Sequence, residues 1–396
     1  MSGVNQFPKK RVRVGVDFHT WDGIFQGTRS HILGLYREAI TCAPDLDFVF
    51  FLEGIASLKA AHPEFSAPNV QLVSMPNHGG LWRLMAQLPN LQRRHAVDIL
   101  HLQYRLPLFR SSDCAVTLHD LLFETHPQYF KTSYVWDAKV TFRNSARRAQ
   151  ELFTVSEFSK LEIVRRYGVN SDRIHVTRNG VDTRCFFPAT GPDSRLEKLG
   201  VTHRGYMLTV GRLEPRKNHA TLIKAYAQLQ GCVPPLVIAG QPDFGYASIF
   251  SLIRKARLQN RIRVLPDVPD EVLPILMRHA RLFIFPSFAE GFGLPVVEAM
   301  ASGIPVIASD TTALPEIGGS ATLYVSPQNW NQLSQLMQRV LGDETLSGKL
   351  ARDGIEQAKK FSWAQPSQTL LGAFRRRFAR RNSGQICQPT RASSSE

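Results

Sequence analysis

The chain has 396 residues, 43% of them hydrophobic, and a formal net charge of +15 at pH 7. This length suits about two domains, and the hydrophobic content can supply two cores. The five cysteines are scattered without a Cys-x-x-Cys pair, which argues against a zinc ribbon, a redox motif and a disulfide scaffold. The positive charge calls for an anionic partner, which could be a nucleic acid, an anionic lipid surface or an anionic substrate.

The N-terminus begins with a polar stretch and Lys9-Lys10-Arg11, and no apolar segment of signal-peptide length follows. No later run approaches the roughly 20 apolar residues of a membrane span. Together with the unpaired cysteines, these features predict a reduced, cytoplasmic protein. Peripheral association with the inner face of the membrane is compatible with them.

Short apolar runs alternate with amphipathic helical stretches, which is the pattern of parallel sheets covered by helices. The runs of the first half predict strands at Val12–Phe18, Phe48–Glu53, Val70–Met75, Ile99–Gln103, Ala115–His119, Leu152–Ser156 and Ile174–Thr177. Those of the second half predict strands at Tyr206–Gly211, Leu236–Gly240, Ile262–Leu265, Leu282–Pro286, Val306–Ser309 and Thr322–Val325. The sequence therefore predicts an α/β protein of two Rossmann-like, doubly wound domains that face a central cleft.

The predicted domains occupy residues 1–188 and 205–361, with a linker at 189–204 that contains prolines and a glycine. A helix is predicted at 362–381, which could cross back to the first domain, and the Ser-, Gln- and Arg-rich residues 382–396 are expected to be a disordered tail. The first domain is expected to bind the acceptor of a reaction and the second to bind a nucleotide-linked substrate. Substrates would lie in the cleft between the domains.

His119 is a candidate site residue of the first domain because it ends an apolar strand run and precedes Asp120. Its ring is expected at the mouth of the sheet, where it could bond a sugar hydroxyl or an acceptor. The alternative is a structural histidine at a strand end, and Asp120 could simply cap the next helix.

The segment Gly211 to Asn218 follows a predicted strand of the second domain, so its polar residues should lie at the carboxyl end of the sheet. Arg212 and Lys217 could there clamp a diphosphate and stabilise the charge that develops on a leaving nucleotide. In the alternative interpretation, Arg212 pairs with Glu214 and Lys217 is solvated. Arg216 lies between them with no assigned role.

The segment from Phe285 to Gly303 carries two glutamates, Glu290 and Glu298, on either side of a glycine-containing bend. The backbone amides of Gly291, Phe292, Gly293 and Leu294 would point into the cleft at a helix N-terminus and bind a pyrophosphate. Glu290 could accept hydrogen bonds from sugar hydroxyls, and Glu298, expected in the first helical turn, could bind two ribose hydroxyls. Either glutamate alone could be structural, since acidic residues often lie near helix N-termini. Their combination with the bend favours a functional site.

The glutamate pair in EGFGLPVVEAMASGIPVIAS, seven residues apart, resembles the signature of retaining glycosyltransferase family 4, which has the GT-B fold. Four further segments resemble the family in the expected order: Gly23 to Arg29, Val116 to Leu121, Thr154 to Asp182, and Gly211 to Asn218. The resemblance is greatest to mannosyltransferase-like enzymes of bacterial glycan assembly. It covers nearly the whole chain.

This resemblance implies a hexosyltransferase that moves a sugar, for example mannose from GDP-mannose, to a cell-surface glycan or a lipid-linked acceptor. It implies that His119 borders the reacting sugar and that the loop containing Gly27 closes over the donor phosphates, with Arg29 as a further contact. Catalysis is assigned to His119, Glu290, Arg212 and Lys217. The implied mechanism is retaining and needs neither a metal nor another cofactor, because cationic side chains and helix dipoles balance the diphosphate charge.

Two other function classes remain open at this point. An epimerase of the same fold would act on a nucleotide sugar without an acceptor. A non-catalytic basic binding protein would need clustered positive charge with interleaved aromatic residues, which is found only in the C-terminal segment Phe374 to Arg381, so no nucleic-acid partner is predicted. This segment, and the region Leu81 to Arg94, could contact an anionic membrane, or could be helices with solvated basic faces.

Overall fold

The computed structural model describes residues 11–22 and 27–386. The part described contains a seven-stranded sheet of order β3-β2-β1-β4-β5-β6-β7 and a six-stranded sheet of order β10-β9-β8-β11-β12-β13. The strand pairs in both sheets are parallel. The predicted α/β fold with two doubly wound domains is therefore confirmed.

The strands of the first sheet are β1 (Val12–Asp17), β2 (Leu46–Leu52), β3 (Val70–Ser74), β4 (Ile99–Gln103), β5 (Asp113–Thr117), β6 (Glu151–Thr154) and β7 (Ile174–Val176). Those of the second sheet are β8 (Met207–Val210), β9 (Leu236–Ala239), β10 (Ile262–Leu265), β11 (Leu282–Phe285), β12 (Val306–Ser309) and β13 (Thr322–Val325). Each overlaps one of the strands predicted from the sequence.

The helices of the first half are α1 (Gly27–Cys42), α2 (Ile55–Ala61), α3 (Gly80–Trp82), α4 (Leu88–Arg94), α5 (Leu122–Thr125), α6 (Thr132–Arg148) and α7 (Glu157–Tyr167). Those of the second half are α8 (Arg195–Lys198), α9 (His219–Ala227), α10 (Ala247–Lys255), α11 (Leu273–Arg278), α12 (Leu294–Ala301), α13 (Leu314–Gly318), α14 (Trp330–Gly342), α15 (Glu344–Ala358) and α16 (Ala364–Ile386). Among these described helices, none has the length and apolarity needed to cross a membrane.

Each sheet separates two hydrophobic cores because successive side chains of a strand point to opposite faces. In β2, Phe48 and Phe50 pack into one core of the first domain, and Val49 and Phe51 pack into the other. The second domain has two cores arranged in the same way around its own sheet. Burial on both faces explains why the strands are continuous apolar runs rather than alternating ones.

Helix α16 returns from the second domain to the first and packs there. Leu370, Leu371 and Phe374 are buried in the first domain's core, beside β1 and α1. Arg375 donates to the carboxylate of Asp45 at 2.6 and 3.0 Å, and Arg377 binds that of Asp113 at 2.7 and 3.2 Å.

These contacts hold the first aromatic ring and two of the arginines of Phe374 to Arg381 to the first domain. Contact of this segment with a membrane stays a prediction. The helix also extends beyond the predicted range 362–381, to Ile386. The predicted tail from residue 387 onward lies outside the described residues.

Trp363 marks the point where the chain crosses back between the domains. A Cβ added at Gly34 would collide with its indole ring, and one added at Gly180 would collide with its backbone nitrogen. The amide of Val181 donates to the carbonyl of Phe361 at 2.9 Å, so the two connections between the domains run side by side here.

The fold sets the position of a site because the strand order of each sheet reverses beside its central strands. The reversal lies between β1 and β4 in the first sheet and between β8 and β11 in the second. Ligands of doubly wound sheets bind outside the carboxyl ends of the strands at such a point. The loops after β8 and β11 carry the two segments that the sequence singled out.

We expect Phe374→Ala to destabilise the first domain by about 3–5 kcal/mol, because it removes a buried aromatic ring from the core. Urea unfolding followed by circular dichroism measures this. Arg376→Ala, at an exposed position of the same helix, is the control, and its effect should stay within about 0.5 kcal/mol. Equal effects of the two substitutions would contradict the docking of α16.

Candidate active site

A cavity of about 1160 Å³ lies between the two sheets, lined by side chains from both halves of the chain. It is as large as or larger than the sites of most small ligands. Every residue predicted to act or to bind the donor lines it: Gly27, His119, Arg212, Lys217, Glu290, Gly291, Phe292, Gly293, Leu294 and Glu298. Asp120, Arg29 and Arg216 line it as well.

The carboxylate of Glu290 is held between two cations from the loop after β8. Lys217 Nζ donates to Glu290 Oε1 at 2.7 Å, and Arg216 Nη1 lies 3.0 Å from Glu290 Oε2. The same guanidinium donates to the carbonyl of Ala289 at 2.7 Å and to Glu214 at 2.5 Å. The loops after β8 and β11 are thus joined by charge-assisted hydrogen bonds, which are stronger than neutral ones.

The pKa of Glu290 reflects this arrangement. Burial alone would raise it, but the charges of Arg216 and Lys217 outweigh burial and lower it to about 2. Burial, opposed by the attraction of Glu290, lowers the pKa of Lys217. Glu290 is therefore ionised at neutral pH, and its oxygens can accept hydrogen bonds from hydroxyl groups in the cavity.

Close backbone packing supports the loop after β8. A Cβ added at Gly240, directly after β9, would collide with the carbonyl oxygen of Gly211, directly after β8. The ends of the two strands can lie this close together only because residue 240 is a glycine. Asn218 adopts a left-handed conformation, with φ of 58°, and its side-chain amide donates to the carbonyls of Pro286 and Pro327 at 2.9 and 2.6 Å. These bonds fix the direction of Lys217, its neighbour.

Arg212 is placed at the cavity, although its partner differs from the one considered from the sequence. Its Nη1 lies 2.5 Å from Asp243 Oδ2, whereas Glu214 pairs with Arg216. Arg212 Nε is buried without a hydrogen-bond partner among the described residues. A buried donor without a partner is costly, and an anionic ligand in the cavity would satisfy it.

The bend before α12 has the predicted geometry. Gly293 has φ of 104°, which favours glycine, and Pro295 lies in the first turn of the helix. The amide of Val296 already donates to the carbonyl of Gly293 at 2.9 Å. Within the described chain, no backbone carbonyl accepts from the amides of Gly291 or Leu294, and both residues line the cavity.

Glu298 lines the cavity, but it lies in the second turn of α12 rather than in the first, because the helix begins only at Leu294. Burial raises the pKa of its carboxyl group to about 8. A partly protonated carboxyl can both donate and accept hydrogen bonds. Two adjacent hydroxyls of a ribose would provide such partners.

His119 is more deeply buried than expected, with 7% of its surface exposed, although it still borders the cavity. Its Nε2 lies 2.6 Å from Gln103 Oε1, and the ring of His31 packs edge-on at 4.9 Å between centroids. Burial and the neighbouring His31 and His101 hold the pKa of His119 well below its usual range. The ring is therefore neutral at pH 7, and with Nε2 donating to Gln103, Nδ1 remains an acceptor.

The glycine-containing bend also contacts the first domain. A Cβ added at Gly291 would come within 2.7 Å of the Cβ of Asp120. The Ser156 hydroxyl donates to the carbonyl of Gly291 at 2.7 Å, and that of Ser159 donates to the carbonyl of His119 at 2.9 Å. The two halves of the site are thus in direct contact through residues next to Glu290 and at His119.

Glu316 lies at the interface between the two domains. Its two oxygens accept from the amides of Glu157 and Phe158, at the N-terminus of α7, at 3.1 Å each. Arg178 donates to the same carboxylate at 3.1 Å. A carboxylate is favourable at this place because the helix dipole is positive there.

Sequence reasoning missed two roles that depend on distant partners. Arg216 had no assigned role, yet it holds Glu290. Ser156 caps α7, since its oxygen accepts from the amide of Ser159, and it also donates across the interface. The one available signal for Arg216 was its position next to Lys217.

Of the first loop, residues 23–26 lie outside the described residues, and a Cβ at Gly27 meets no described atom within 4 Å.

We expect Glu298→Gln to change the pH dependence of stability. Because the folded-state pKa of about 8 is above the unfolded value, the parent protein loses stability as pH rises from about 4.5 to about 8. The variant lacks this loss, so its free energy of unfolding relative to the parent should improve by about 4 kcal/mol between about pH 5 and about pH 8.5. Denaturant titrations at the two pH values measure it, and a constant difference would contradict the assignment.

We expect Glu316→Gln to loosen the domain interface, because a neutral amide cannot replace the carboxylate at the N-terminus of α7. The loss should be about 1 kcal/mol, and X-ray scattering should show a larger radius of gyration without ligand. Glu344→Gln, whose side chain is 88% exposed, is the matched control. A scattering profile identical to the parent's would show that this contact does not hold the domains.

Comparison with known proteins identifies the family of the chain. Residues 195–361 match the family model "Glycosyl transferases group 1", and residues 48–184 match "Glycosyltransferase Family 4". O-antigen chain mannosyltransferase B of Escherichia coli is 33% identical over 271 residues, which are 67% of this chain and 71% of the relative. O-antigen chain mannosyltransferase RfbU of Salmonella typhimurium is 31% identical over 63% of this chain and 65% of its own length.

Solved structures of low sequence identity share the fold. Sucrose-phosphate synthase of Thermosynechococcus elongatus superposes with a TM-score of 0.75 at 19% identity, covering 93% of this chain and 100% of that one. HepE of Anabaena, crystallised with UDP and glucose, gives a TM-score of 0.72 at 20% identity. The match covers 92% of this chain and 99% of HepE. With the two family models and the Escherichia coli relative, these findings establish that the chain belongs to glycosyltransferase family 4 and is a glycosyltransferase with the GT-B fold.

Proposed function

We propose that the protein transfers mannose from GDP-mannose to a glycan or lipid-linked acceptor in cell-surface polysaccharide synthesis, with retention of the anomeric configuration and without a metal ion. The observation that carries the proposal is the cluster of Arg212, Lys217, Glu290 and Glu298 on one wall of a cavity whose opposite wall holds His119. The relatives named as O-antigen chain mannosyltransferases support the choice of sugar and acceptor class.

The diphosphate of the donor would bind at the N-terminus of α12 and the loop after β8. Gly291 and Leu294 line the cavity there, and the Arg212 side chain has a buried nitrogen without a partner among the described residues. Lys217 adds a second cation, which is already oriented by Glu290. As the bond between the sugar and the phosphate breaks, these groups stabilise the negative charge on the leaving nucleotide.

The bond changes in this reaction balance without a protein nucleophile. The bond from the sugar's anomeric carbon to the phosphate oxygen breaks, and a bond to the acceptor's hydroxyl oxygen forms on the same face of the ring. The hydroxyl proton passes to an oxygen of the departing phosphate. Glu290 and the neutral ring of His119 would position the sugar through hydrogen bonds with its hydroxyls.

Metal independence is part of the proposal because the cavity offers cations of its own. Within the described residues, no group of three or more His, Cys, Asp or Glu side chains is arranged to hold a metal ion. Arg212 and Lys217 would carry the role that a divalent cation has in other phosphate sites. Activity that survives treatment with a chelating agent would support this assignment, and its loss and recovery with added metal would contradict it.

A cytoplasmic location also remains a proposal. Its support is the state of the cysteines, since Cys42, Cys114, Cys185 and Cys232 are all unpaired among the described residues. Free thiols of this kind are usual in a reducing compartment.

The first test is thermal stability in the presence of GDP, UDP, ADP and their hexose conjugates. A ligand at 100 times its dissociation constant should add about 2.7 kcal/mol to the free energy of unfolding. A response to GDP and GDP-mannose alone would support the proposed donor. A response to another base would contradict that part of the proposal while preserving the site.

We expect Lys217→Ala to weaken nucleotide binding and to lower kcat about 100-fold or more, because it removes a cation that contacts the leaving group. Glu298→Ala should weaken nucleotide binding with a smaller effect on kcat. Lys255→Ala, on an exposed position of α10, is the control for loss of charge. Unchanged affinity in both site variants would remove the donor site as described.

Nuclear magnetic resonance of the product then distinguishes retention from inversion at the anomeric carbon. The same experiment distinguishes transfer from epimerisation, because an epimerase would change the donor sugar in the absence of any acceptor. An inverted product or an epimerised free donor would each contradict the proposal.

A further inference from the structure

Helix α6 of the first domain exposes a face that has no partner in the described structure. Trp136 and Val140 are 70% and 69% exposed, and Lys139, Arg143 and Arg147 are exposed beside them. Positions 136, 140, 143 and 147 follow one another at helical spacing, so they form a single stripe. Large apolar side chains that are grouped on a surface mark a binding site rather than an ordinary exposed residue.

The loop at 105–110 extends this surface. Leu108 and Phe109 are 58% and 66% exposed. The loop is bound along α6 at three places, by Arg105 to Thr141 at 3.1 Å, by the amide of Leu106 to Ser145 at 3.0 Å, and by Arg110 to the carbonyl of Arg148 at 3.0 Å. We call the exposed group Leu108, Phe109, Trp136, Lys139, Val140 and Arg143 the α6 surface.

The charge of this surface is positive. Helix α6 carries Lys139, Arg143, Arg147 and Arg148, and its one acidic residue, Asp137, is paired with Arg105. Lys139 Nζ lies 6.0 Å from the ring of Trp136, so a cation and an aromatic side chain sit together. Aromatic and aliphatic side chains with flanking lysines and arginines are the composition of surfaces that bind anionic bilayers.

We propose that the α6 surface docks on an anionic lipid bilayer, with its apolar side chains in the interface and its basic side chains near the lipid phosphates. A single-stranded nucleic acid fits less well, because Leu108 and Val140 offer no ring on which a base can stack. This surface is distinct from α16, whose arginines Arg375 and Arg377 are bound to the first domain.

Helix α6, which carries this surface, also contributes to the lining of the cavity. Residues Tyr129, Phe130 and Lys131 line the cavity and lead directly into α6, and Tyr134 in its first turn lines it too. A bilayer bound to the α6 surface would therefore hold the cavity close to lipid-borne molecules. This last step rests on the proposed function, because it gives the docking a purpose only if the acceptor is attached to a lipid.

Sedimentation with vesicles tests the docking without any sugar donor. The full chain should bind vesicles of phosphatidylethanolamine and phosphatidylglycerol, and it should bind phosphatidylcholine vesicles much more weakly. The double substitution Lys139→Gln with Arg143→Gln should lower the partition coefficient about 25-fold, since each basic residue near an anionic surface contributes about fivefold. Trp136→Ser with Val140→Ser should also lower it, through loss of apolar contact.

The matched control is Arg254→Gln with Lys255→Gln, which removes two exposed charges from α10 of the second domain and should leave vesicle binding nearly unchanged. Equal losses in the control and in the α6 variants would show a general charge effect and overturn the proposal. Equal binding to neutral vesicles, or tighter binding to single-stranded DNA than to anionic vesicles, would also overturn it.

Thermal stabilisation by nucleotides, measured in parallel, keeps this proposal separate from the proposed function. The α6 variants should keep the parent's response to nucleotides, since none of the substituted residues lines the cavity. Vesicle binding without a nucleotide response would support the docking and contradict the donor site. A nucleotide response without vesicle binding would do the reverse.

Discussion

The geometry of the cleft depends on the buried carboxylate of Glu290. The side chains of Arg216 and Lys217 are only 15% and 13% exposed, and without a counter-charge two such neighbouring cations would repel each other and destabilise the fold. Glu290 neutralises them, and in doing so it fixes the loop after β8 against the loop after β11. Because Gly291 follows directly, the same cluster also places the residue that packs against Asp120 of the first domain. A single electrostatic cluster thus sets the donor wall of the cavity.

The contacts across the cleft are of a different kind from those inside each domain. They are hydrogen bonds from Ser156 to Gly291 and from the start of α7 to Glu316, and a stacked pair of rings, Tyr129 and Phe288, 5.4 Å apart. Each such hydrogen bond contributes about 1 kcal/mol, whereas each domain has two extensive apolar cores. Domains joined in this way can move relative to each other at small cost, which is the usual expectation for an interface of polar contacts. The rigid parts of the site are therefore the loops within one domain, and the adjustable part is the distance between His119 and Glu290.

The fold could be predicted because both faces of each sheet are buried, which makes the strands visible as apolar runs. The position of the site could be predicted from the fold, because parallel strands bring Lys217 and Glu290 to one edge of the sheet although they are 73 residues apart. Pairing partners could not be predicted in the same way. Glu316 binds amides of α7 from 159 residues away, and Arg375 binds Asp45 over 330 residues, and no local pattern encodes such distances. The misplacement of Glu298 by one helical turn has a local cause, because helix α12 begins only after Gly293 has turned the chain.

The net charge of +15 does not reveal which roles the individual arginines and lysines have in the structure. Arg375 and Arg377 hold α16 to the first domain, Arg216 supports a carboxylate, and Arg143 is exposed. These roles differ because the first two face acidic side chains of the same chain, the third is buried beside Glu290, and the last stands on a helix whose only acid is already paired. A charge that is paired inside the protein adds nothing to its field, so the charges that remain exposed near apolar side chains determine which anionic surface the protein can meet. On α6, Lys139 and Arg143 are exposed charges of this kind, and they stand beside the exposed side chains of Trp136 and Val140.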